Sequence, residues 1–454
     1  MYRFRSVENL IGKYQELEKQ QIYFAAREEL NDPLEGTRKY YWKGDKIVWD
    51  NFFKHFILCL QHVIYKSRLS KDNKLNKTDI PIFMCEKDIP ANHYKRRSQK
   101  INQKFFSDSY IQSYLNYFYN NPKKIYFEEM YVHLKILLKK SLDIIFGIDA
   151  EMGLIPKLQK LSTTKDETIF LQMINYWRTL DSLKLKNMTF DTIRSSESEY
   201  LLIHKDLNQN EIFVEFPQMY LDTVINLTYP NAFIACFMDN CLNSAIWGTY
   251  GNNHTGVCLK FKTNEIDPVL QLKTITSIGS GGKKYEYRNF NLKPIEYCVD
   301  FEEIDFFKNL GRLPVPQLME QWYCDDSGNK SICYEDISKN EETWRDEYWG
   351  KYERAYFKKL PEWSSEREYR MLLSSSLGTF DDPKDRVLEY KFEDLESIIF
   401  GMKTSKEAKE KIIEIIERKC KEFDRDSFDF YEMAYSMSMK EFYPRKILSL
   451  TIKN

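Results

Sequence analysis

The stretch that decides the fold is residues 1–36, which read MYRFRSVENLIGKYQELEKQQIYFAAREELNDPLEG. Residues 2–5 and 21–26 are typical of short strands, and Val7–Lys19 between them predicts a helix. Asn31-Asp32-Pro33 predicts a turn, because Asn and Asp side chains hydrogen-bond their own backbone and Pro fixes φ. The chain therefore begins with two strands, a helix between them and an acidic turn.

From about residue 50 to 215 the pattern changes to helical spacing. Apolar residues recur three and four positions apart in five segments, namely Asn51–Tyr65, Tyr110–Asn120, Phe127–Phe146, Glu167–Leu183 and Asp206–Leu227. Almost nothing in this region alternates in the manner of a strand. We interpret residues 50–215 as a helical insertion or subdomain.

Strand patterns return after residue 230. The predicted strands are Asn231–Phe237, Gly256–Lys262, Lys293–Asp300, Tyr369–Ser375, Arg386–Tyr390 and Ser397–Gly401, and Ser405–Lys421 predicts a charged amphipathic helix. We expect an α+β fold with a mixed, mostly antiparallel sheet core. Residues 1–49 and 216–402 would form that core, with a helical extension over 403–454.

Composition narrows the classes of function and location. Among 454 residues, 67 Lys and Arg against 68 Asp and Glu leave a formal charge of −1, so no global charge points to nucleic acid or membrane. The six histidines and nine cysteines show no zinc-binding spacing, so no metal is expected. Without a signal-peptide pattern or a long apolar run, we expect a cytoplasmic protein with no membrane contact.

Two arginines on the first predicted strand are candidate anion ligands. Arg3 and Arg5 alternate, so both side chains face the same way and suit a phosphate or pyrophosphate. The alternative is that they form structural salt bridges with Asp32, Glu35 or another acid. On the residues alone that structural alternative is slightly favoured.

The loop Trp247–Gly256, with sequence WGTYGNNHTG, is a candidate binding loop. Its glycines let the backbone approach a ligand, and Trp247 and Tyr250 can stack on a planar ring. His254 adds a polar group, although it equally suits the capping of a packed loop. The number of adaptable polar groups in ten residues favours binding.

Glu366 and Glu368 are the candidate catalytic pair. They are two positions apart at a strand entrance, and like charges that lie close together raise one pKa, which suits acid–base chemistry. An equally weighted alternative is a solvated strand edge in which the two glutamates pair with Arg367, Arg370 or Arg3. Together with Asp32 and Glu35, the pair also suggests a magnesium site.

That metal alternative predicts a metal-dependent nuclease or phosphodiesterase. Its basic partner surface would be Asn51–Lys104, which holds 12 Lys and Arg against 4 Asp and Glu. No D-x-D or E-x-K spacing supports it. A third reading is a non-catalytic nucleotide-sensing or interaction module whose motif residues maintain the fold.

The motifs in this order resemble a bacterial family classed as a domain of unknown function. The matching stretches are Tyr2–Ser6, Leu30–Glu35, Cys236-Phe237, Trp247–Gly256, Trp363–Arg370 and Ile398–Gly401. The layout also resembles, more distantly, the ADP-ribosyltransferases and their split sheet. That resemblance implies NAD as co-substrate, with a catalytic Glu on a late strand.

Carried onto this chain, the ADP-ribosyltransferase resemblance assigns roles to individual residues. It implies Glu368 as catalytic with Glu366 in support, Arg3 or Arg5 as the first-strand NAD contact, and Tyr23 or Tyr250 as the middle element. Asn31, Asp32, Glu35 and Arg370 would bind substrate or support the fold.

Families of this kind imply a toxin or phage-defence effector. The expected activity is then ADP-ribosyl transfer from NAD or NAD glycohydrolysis. We expect a protein partner, an antitoxin or nucleic acid to bind the helical residues 50–215.

Overall fold

A computed structural model describes residues 1–69, 75–90, 93–161, 183–203, 210–264, 266–375 and 378–452. The predicted helix Glu167–Leu183 lies outside these residues except for its last position. No helix in the described ranges is both long and apolar enough to cross a membrane.

Seventeen strands are described. In chain order, β1 to β17 are Tyr2–Arg5, Gln21–Tyr23, Arg38–Trp42, Ile125–Tyr126, Asn231–Met238, Val257–Phe261, Val269–Gly279, Gly282–Asn291, Lys293–Pro294, Glu296–Tyr297, Glu302–Asp305, Lys358–Lys359, Glu368–Ser375, Val387–Tyr390, Leu395–Phe400, Ser427–Ser436 and Glu441–Thr451. The described α-helices are Lys46–Leu69, His93–Ser107, Ser109–Tyr119, Phe127–Glu151, Leu183–Ile203, Asn210–Val224, Ser244–Thr249, Val315–Leu318, Ile332–Lys339, Glu341–Arg354 and Lys406–Glu422.

The first compact unit consists of residues 1–37, 230–302 and 352–454. Its main sheet has the strand order β17-β16-β15-β6-β1-β5-β13-β9. β1 lies between β5 and β6 and is antiparallel to both, with Arg3 opposite Leu259. β15 and β16 run parallel, whereas the other pairings given for this sheet are antiparallel. The predicted mixed, mostly antiparallel α+β fold is confirmed.

A second sheet of the first unit, β2-β14-β7-β8, shares a hydrophobic core with the main sheet. Phe24 and Leu272 from the small sheet, Phe261 and Phe400 from the large one, and Ile412 from the helix Lys406–Glu422 are almost fully buried in it. Each such side chain contributes about 1.5–3 kcal/mol on removal from water. Side chains of β5 and β13 also belong to this core, and β13 is the strand on which part of the candidate site is built.

The second compact unit consists of residues 38–229 and 303–351 and is mainly helical. Its core is rich in edge-to-face aromatic contacts, such as Trp49 with Phe307 at 5.0 Å between ring centroids. A buried ion pair joins two helices, since the Arg97 guanidinium binds Asp149 through Nε and Nη2. The basic run Lys95-Arg96-Arg97 therefore includes one buried arginine.

Two predictions near the chain ends are wrong. The predicted helix Val7–Lys19 is reduced to a five-residue π-helix, Glu8–Gly12, because the chain turns so that Glu16 can bind the Arg5 guanidinium. Residues 403–454 are not a helical extension throughout. After the helix Lys406–Glu422 they continue as β16, in which Phe428 and Phe430 are buried at alternate positions, and as the largely exposed β17.

Two further departures lie between residues 265 and 300. Gly279–Gly282 is the tight turn of a long antiparallel hairpin formed by β7 and β8, two strands that the sequence did not predict. The predicted strand Lys293–Asp300 is divided into β9 and β10, which pair with different partners. Ile295 between them donates its N–H to the Glu368 carbonyl, so the chain changes sheet at that point.

Candidate functional site

A left-handed backbone turn brings Glu366 and Glu368 into one buried cluster. Pro361–Glu366 is a short 3-10 helix and β13 begins at Glu368. Arg367 between them has a φ of 48°, a conformation that a non-glycine residue rarely adopts. Its side chain is exposed and pairs with Asp239 at 2.5 Å. The turn lets both glutamates face inward while Arg367 faces solvent.

The ammonium group of Lys359 lies at the centre of this cluster. Its Nζ is 2.6 Å from Glu366 Oε2, 3.2 Å from Glu368 Oε2 and 3.1 Å from Glu35 Oε1. It also lies 4.6 Å from the centre of the Trp363 ring. Two neighbouring carboxylates of the chain, Glu366 and Glu368, and the distant Glu35 therefore share one cation. We define Glu35, Lys359, Glu366, Glu368 and Arg370 as the acidic cluster.

Arg370 is the second cation of the acidic cluster and is 1% exposed. Its Nε donates to Glu368 Oε1 at 2.6 Å and its Nη2 to Oε2 at 3.0 Å, a bidentate pair. Nη2 also donates to Glu35 Oε2 at 2.6 Å, and Nη1 to the Tyr356 carbonyl at 2.8 Å. This guanidinium is thus directed wholly at protein oxygens.

The acidic turn near the N-terminus positions Glu35 in the acidic cluster. Leu34 donates its N–H to Asp32 Oδ1 at 2.9 Å, the Asx-turn expected of this sequence. Gly36 follows with a φ of 66°, and a Cβ there would lie 3.0 Å from the Tyr356 ring. Asp32 is buried as well, and its Oδ2 has no hydrogen-bond partner. Asn31, by contrast, is exposed.

Two tyrosines complete the surroundings of the acidic cluster. The Tyr250 hydroxyl donates to Glu366 Oε1 at 3.0 Å. The Tyr297 hydroxyl accepts the backbone N–H of Glu368 at 2.8 Å. Both rings are half-buried, and Glu366, at 5% exposure, is slightly less buried than Glu35 at 3% and Glu368 at 2%.

The two glutamates of the pair have pKa values shifted in opposite directions. Burial alone would raise the pKa of Glu368, but Arg370 and then Lys359 outweigh it and lower the pKa from 4.5 to about 2. Burial raises the pKa of Glu366, and Lys359 only partly opposes the shift. The pKa of Glu35 is raised by burial too. The three carboxyls and two cations sum to a charge of −1, which a proton on Glu366 would neutralise.

Arg3 and Arg5 lie outside the acidic cluster. Arg3 is buried, and its Nη1 and Nη2 donate to the carbonyls of Cys236 at 3.2 Å and Tyr23 at 3.1 Å. Burial lowers its pKa to about 10. Arg5 forms a bidentate pair with Glu16. Both guanidiniums are engaged by the protein, and their expected role on a pyrophosphate stays a prediction.

The other residues expected to contact a ligand, apart from Tyr250, also lie outside the acidic cluster. Trp247 is fully buried, donates from Nε1 to the Cys241 carbonyl at 2.7 Å and packs edge-on against Phe4. His254 stacks on Phe442 with 6.4 Å between ring centroids. The Tyr23 hydroxyl donates to Glu29. Of the residues expected to bind NAD, the structure places only Tyr250 at the acidic cluster.

Lys359 and Tyr297 are cluster residues that sequence reasoning missed. Neither lies in a recognisable motif, and the lysine is one of 67 Lys and Arg residues. One signal existed, because three buried glutamates need a compensating cation beyond Arg370. In the part of the chain that the structure describes, no group of three or more His, Cys, Asp or Glu side chains is arranged to hold a metal ion.

Comparison with known proteins gives one partial match. A family model described as "Protein of unknown function (DUF2971)" matches residues 246–371. That stretch includes Tyr250, Lys359, Glu366, Glu368 and Arg370. Searches of curated proteins and of solved structures gave no match. Over residues 246–371 the chain is therefore similar to a domain of unknown function.

Proposed function

We propose that this chain is an enzyme that cleaves a glycosidic bond of a nucleotide, with NAD as the expected substrate and Glu366 as the catalytic carboxyl. The observation that carries the proposal is the unequal environment of two glutamates in one cluster, because Arg370 and Lys359 bind both oxygens of Glu368, whereas Glu366 binds Lys359 and the Tyr250 hydroxyl. Neighbouring carboxyls whose environments separate their pKa values are typical of acid–base and glycosyl-transfer sites.

The contacts assign different roles to the two glutamates. Glu368 is 2% exposed, and both of its oxygens are held by Arg370 and Lys359. It is therefore a positioning residue that keeps the two cations in place. Glu366 faces the half-buried Tyr250, whose hydroxyl a substrate hydroxyl can replace. This reverses the roles expected from the sequence.

The chemistry follows from the contact between Glu366 and the half-buried Tyr250. When the bond between the ribose C1′ and the nicotinamide nitrogen breaks, its electron pair goes to the nicotinamide ring and positive charge develops on the ribose. A carboxylate beside the ribose stabilises that charge. Glu366 then accepts the proton of the water or acceptor hydroxyl that attacks C1′.

The biological setting belongs to the same proposal. We infer a toxin or phage-defence effector that acts as an ADP-ribosyltransferase or NAD glycohydrolase. A protein partner, an antitoxin or nucleic acid would bind the helical residues 50–215. The support for this setting is the family resemblance, not a contact.

The test measures nicotinamide released from NAD by the purified chain, alone and with cell lysate. Glu366→Gln should lower the rate at least about 100-fold, because a general-base contribution is about 10²–10⁴-fold. Tyr250→Phe should lower it less, since the tyrosine only orients the carboxyl. Glu362→Gln, an exposed change in the same 3-10 helix, is the matched control and should retain the rate. Folded wild-type protein that releases no nicotinamide in any lysate would overturn the proposal.

A non-catalytic nucleotide-sensing or interaction module is the second candidate. It is favoured by the completeness of the Arg370, Glu368 and Glu35 contacts, which need no ligand to be satisfied. Under this alternative Glu366→Gln would change neither a reaction nor the phenotype.

The metal-dependent nuclease alternative would require a cation to compete with the Lys359 ammonium for the same three carboxylates. EDTA-sensitive degradation of RNA or DNA would support it.

A further inference from the structure

One helix of the second compact unit, His93–Ser107, carries five Lys and Arg residues and no Asp or Glu. Its buried side is formed by Arg97, Ser98, Ile101 and Phe105. Every residue of the helix that is exposed carries a hydrogen-bond donor, from His93 at one end to Ser107 at the other. The exposed positions therefore include no carboxylate and no apolar side chain.

Three exposed cations form a straight row on this helix. Arg96, Lys100 and Lys104 are four positions apart, so they share one face and follow each other at intervals of about 6 Å along the axis. We define these three residues as the cationic stripe. In the described ranges of the chain, none of them forms an ion pair. Neighbouring charges within the stripe therefore repel each other.

Other exposed helices of the chain compensate their cations at the same spacing. Lys406 pairs with Glu410, Lys421 with Glu417 and Arg345 with Glu341, each four positions apart. The helix His93–Ser107 has a cation where those helices have an acid. An external row of negative charges would relieve the repulsion that the fold itself leaves in place.

A buried ion pair fixes the orientation of the stripe. The Arg97 guanidinium faces inward, where its Nη2 donates to Asp149 Oδ2 at 2.9 Å. The same Asp149 oxygen accepts from Arg68 Nη1 at 2.8 Å. Because Arg97 and Asp149 are both buried, the helix cannot rotate without exposing or breaking this pair. The stripe is thus presented to solvent on a rigid element.

The composition of the exposed side narrows the class of partner. A helix that lies in a membrane surface inserts an apolar face, whereas Ile101 and Phe105 of this helix are already buried. A protein interface has an aromatic or apolar core and few lysines, which this surface does not offer. Nucleic acid requires neither, because its regularly spaced phosphates are contacted by Lys, Arg and Gln side chains.

We propose that the cationic stripe binds the phosphate backbone of a nucleic acid. Gln99 and Gln103, exposed between the three cations, add donors to the same row of phosphates. The inference rests on the proposed function, in which residues 50–215 hold a partner, and it names that partner and the helix that binds it. Phosphate contacts carry no sequence information, so the affinity should depend on salt and little on sequence.

Fluorescence anisotropy of labelled oligonucleotides with the full chain tests the proposal. The probes are single-stranded RNA, single-stranded DNA and a DNA duplex, each in two unrelated sequences. Three phosphate contacts predict a slope of log affinity against log salt of about −2 for single strands and about −3 for the duplex. NAD is absent from the assay. A chain that releases no nicotinamide can therefore still bind, and the two proposals can fail separately.

A triple variant tests the stripe against net charge. Arg96→Gln, Lys100→Gln and Lys104→Gln together should weaken binding at least about tenfold in 0.1 M salt and flatten the salt dependence. The melting temperature should not fall, because the change removes repulsion. The control exchanges one exposed arginine and two exposed lysines of the helix Lys406–Glu422, namely Arg418, Lys406 and Lys421, for Gln. It alters the net charge equally and should keep the affinity.

Four outcomes would overturn this inference. The first is no change in anisotropy with any oligonucleotide at protein concentrations up to about 100 µM, the weak end of non-specific binding. The second is an affinity that does not change with salt, and the third is an equal loss in the two triple variants. The fourth is equally tight binding of polyglutamate or of phosphatidylserine vesicles, which would show a surface for any polyanion.

Discussion

The guanidinium of Arg370 is held in a bidentate pair by the carboxylate of Glu368, two positions earlier on the same strand. Residues two apart on a strand share a face, so β13 brings the two charges together without any loop. Both side chains are almost fully buried. The pair is therefore part of the folded core, and Lys359 and Glu35 extend it across the acidic cluster.

Substitution of Glu368 should destabilise the fold strongly. Glu368→Gln leaves Arg370 and Lys359 buried with one fewer carboxylate, and breaking a buried pair costs about 3–5 kcal/mol. The free energy of unfolding in urea, by circular dichroism, measures the change. Glu362→Gln, in the exposed 3-10 turn, should stay within about 0.5 kcal/mol of wild type. Equal values for the two variants would contradict a core role for Glu368.

Stability should depend on pH through the same two glutamates, in opposite directions. The pKa of Glu368 is lowered from 4.5 to about 2 in the folded chain, so its stabilisation is present above pH 4.5 and is lost as the pH falls towards 2. That shift corresponds to about 3 kcal/mol. The pKa of Glu366 is raised, so its ionisation in the folded chain costs stability as the pH rises above 4.5.

Urea unfolding between pH 2 and 7 should resolve both effects. The difference between wild type and Glu368→Gln should shrink as the pH falls below 4.5. Relative to wild type, Glu366→Gln should gain stability as the pH rises above 4.5. If the stability of each variant minus that of wild type changed in the same direction with pH for both variants, the assigned shifts would be contradicted.

The sequence predicted the members of the site better than their arrangement. Glu366, Glu368 and Tyr250 were selected from local motifs, and these three do meet. Local patterns do not say which cation a carboxylate binds, and Lys359 comes from a two-residue strand with no motif of its own. The partner of each charge is a long-range choice, so it appears only in the fold.

Some strands were predicted where a side-chain pattern marks a buried face, although β7 and β16, which also bury alternate residues, were not. β5, β6 and β13 fall within one residue of their predicted bounds at nearly every end. β8 was missed because nearly all of its residues are exposed, which leaves no apolar alternation to detect. The helix predicted after Val7 failed because the Arg5–Glu16 pair redirects the chain, an effect that local propensity does not contain.

Arg3 should be essential for stability rather than for anion binding. Arg3→Leu would leave the carbonyls of Cys236 and Tyr23 buried without donors, at about 1–3 kcal/mol each. Arg3→Lys should recover only part of this, because a single ammonium lacks the planar fork that reaches both oxygens. Urea unfolding of the two variants measures the order. If the free energy of unfolding of Arg3→Leu equals that of wild type, the stabilising role of Arg3 is contradicted and anion binding is favoured instead.

A methyl group should be tolerated at Gly248, in the loop Trp247–Gly256, but not at Gly401, which lies against that loop. A Cβ on Gly401 would lie 2.2 Å from the His254 carbonyl oxygen, which is backbone and cannot move aside. A Cβ on Gly248 meets nothing within 4 Å, and the residue is helical. We expect Gly401→Ala to lose about 1–3 kcal/mol of unfolding free energy. Gly248→Ala should gain about 0.5–1 kcal/mol from its higher helix propensity.

These two alanine variants also distinguish packing from chemistry at the loop Trp247–Gly256, because Gly248 lies in that loop and Gly401 contacts it. Asn252, Asn253 and His254 all have positive φ, so the loop stores backbone strain that the contact at Gly401 must hold. If that contact fixes Tyr250, Gly401→Ala should reduce nicotinamide release as well as stability, whereas Gly248→Ala should leave both intact. A Gly401→Ala protein that folds as stably as wild type would refute the close approach on which this prediction depends.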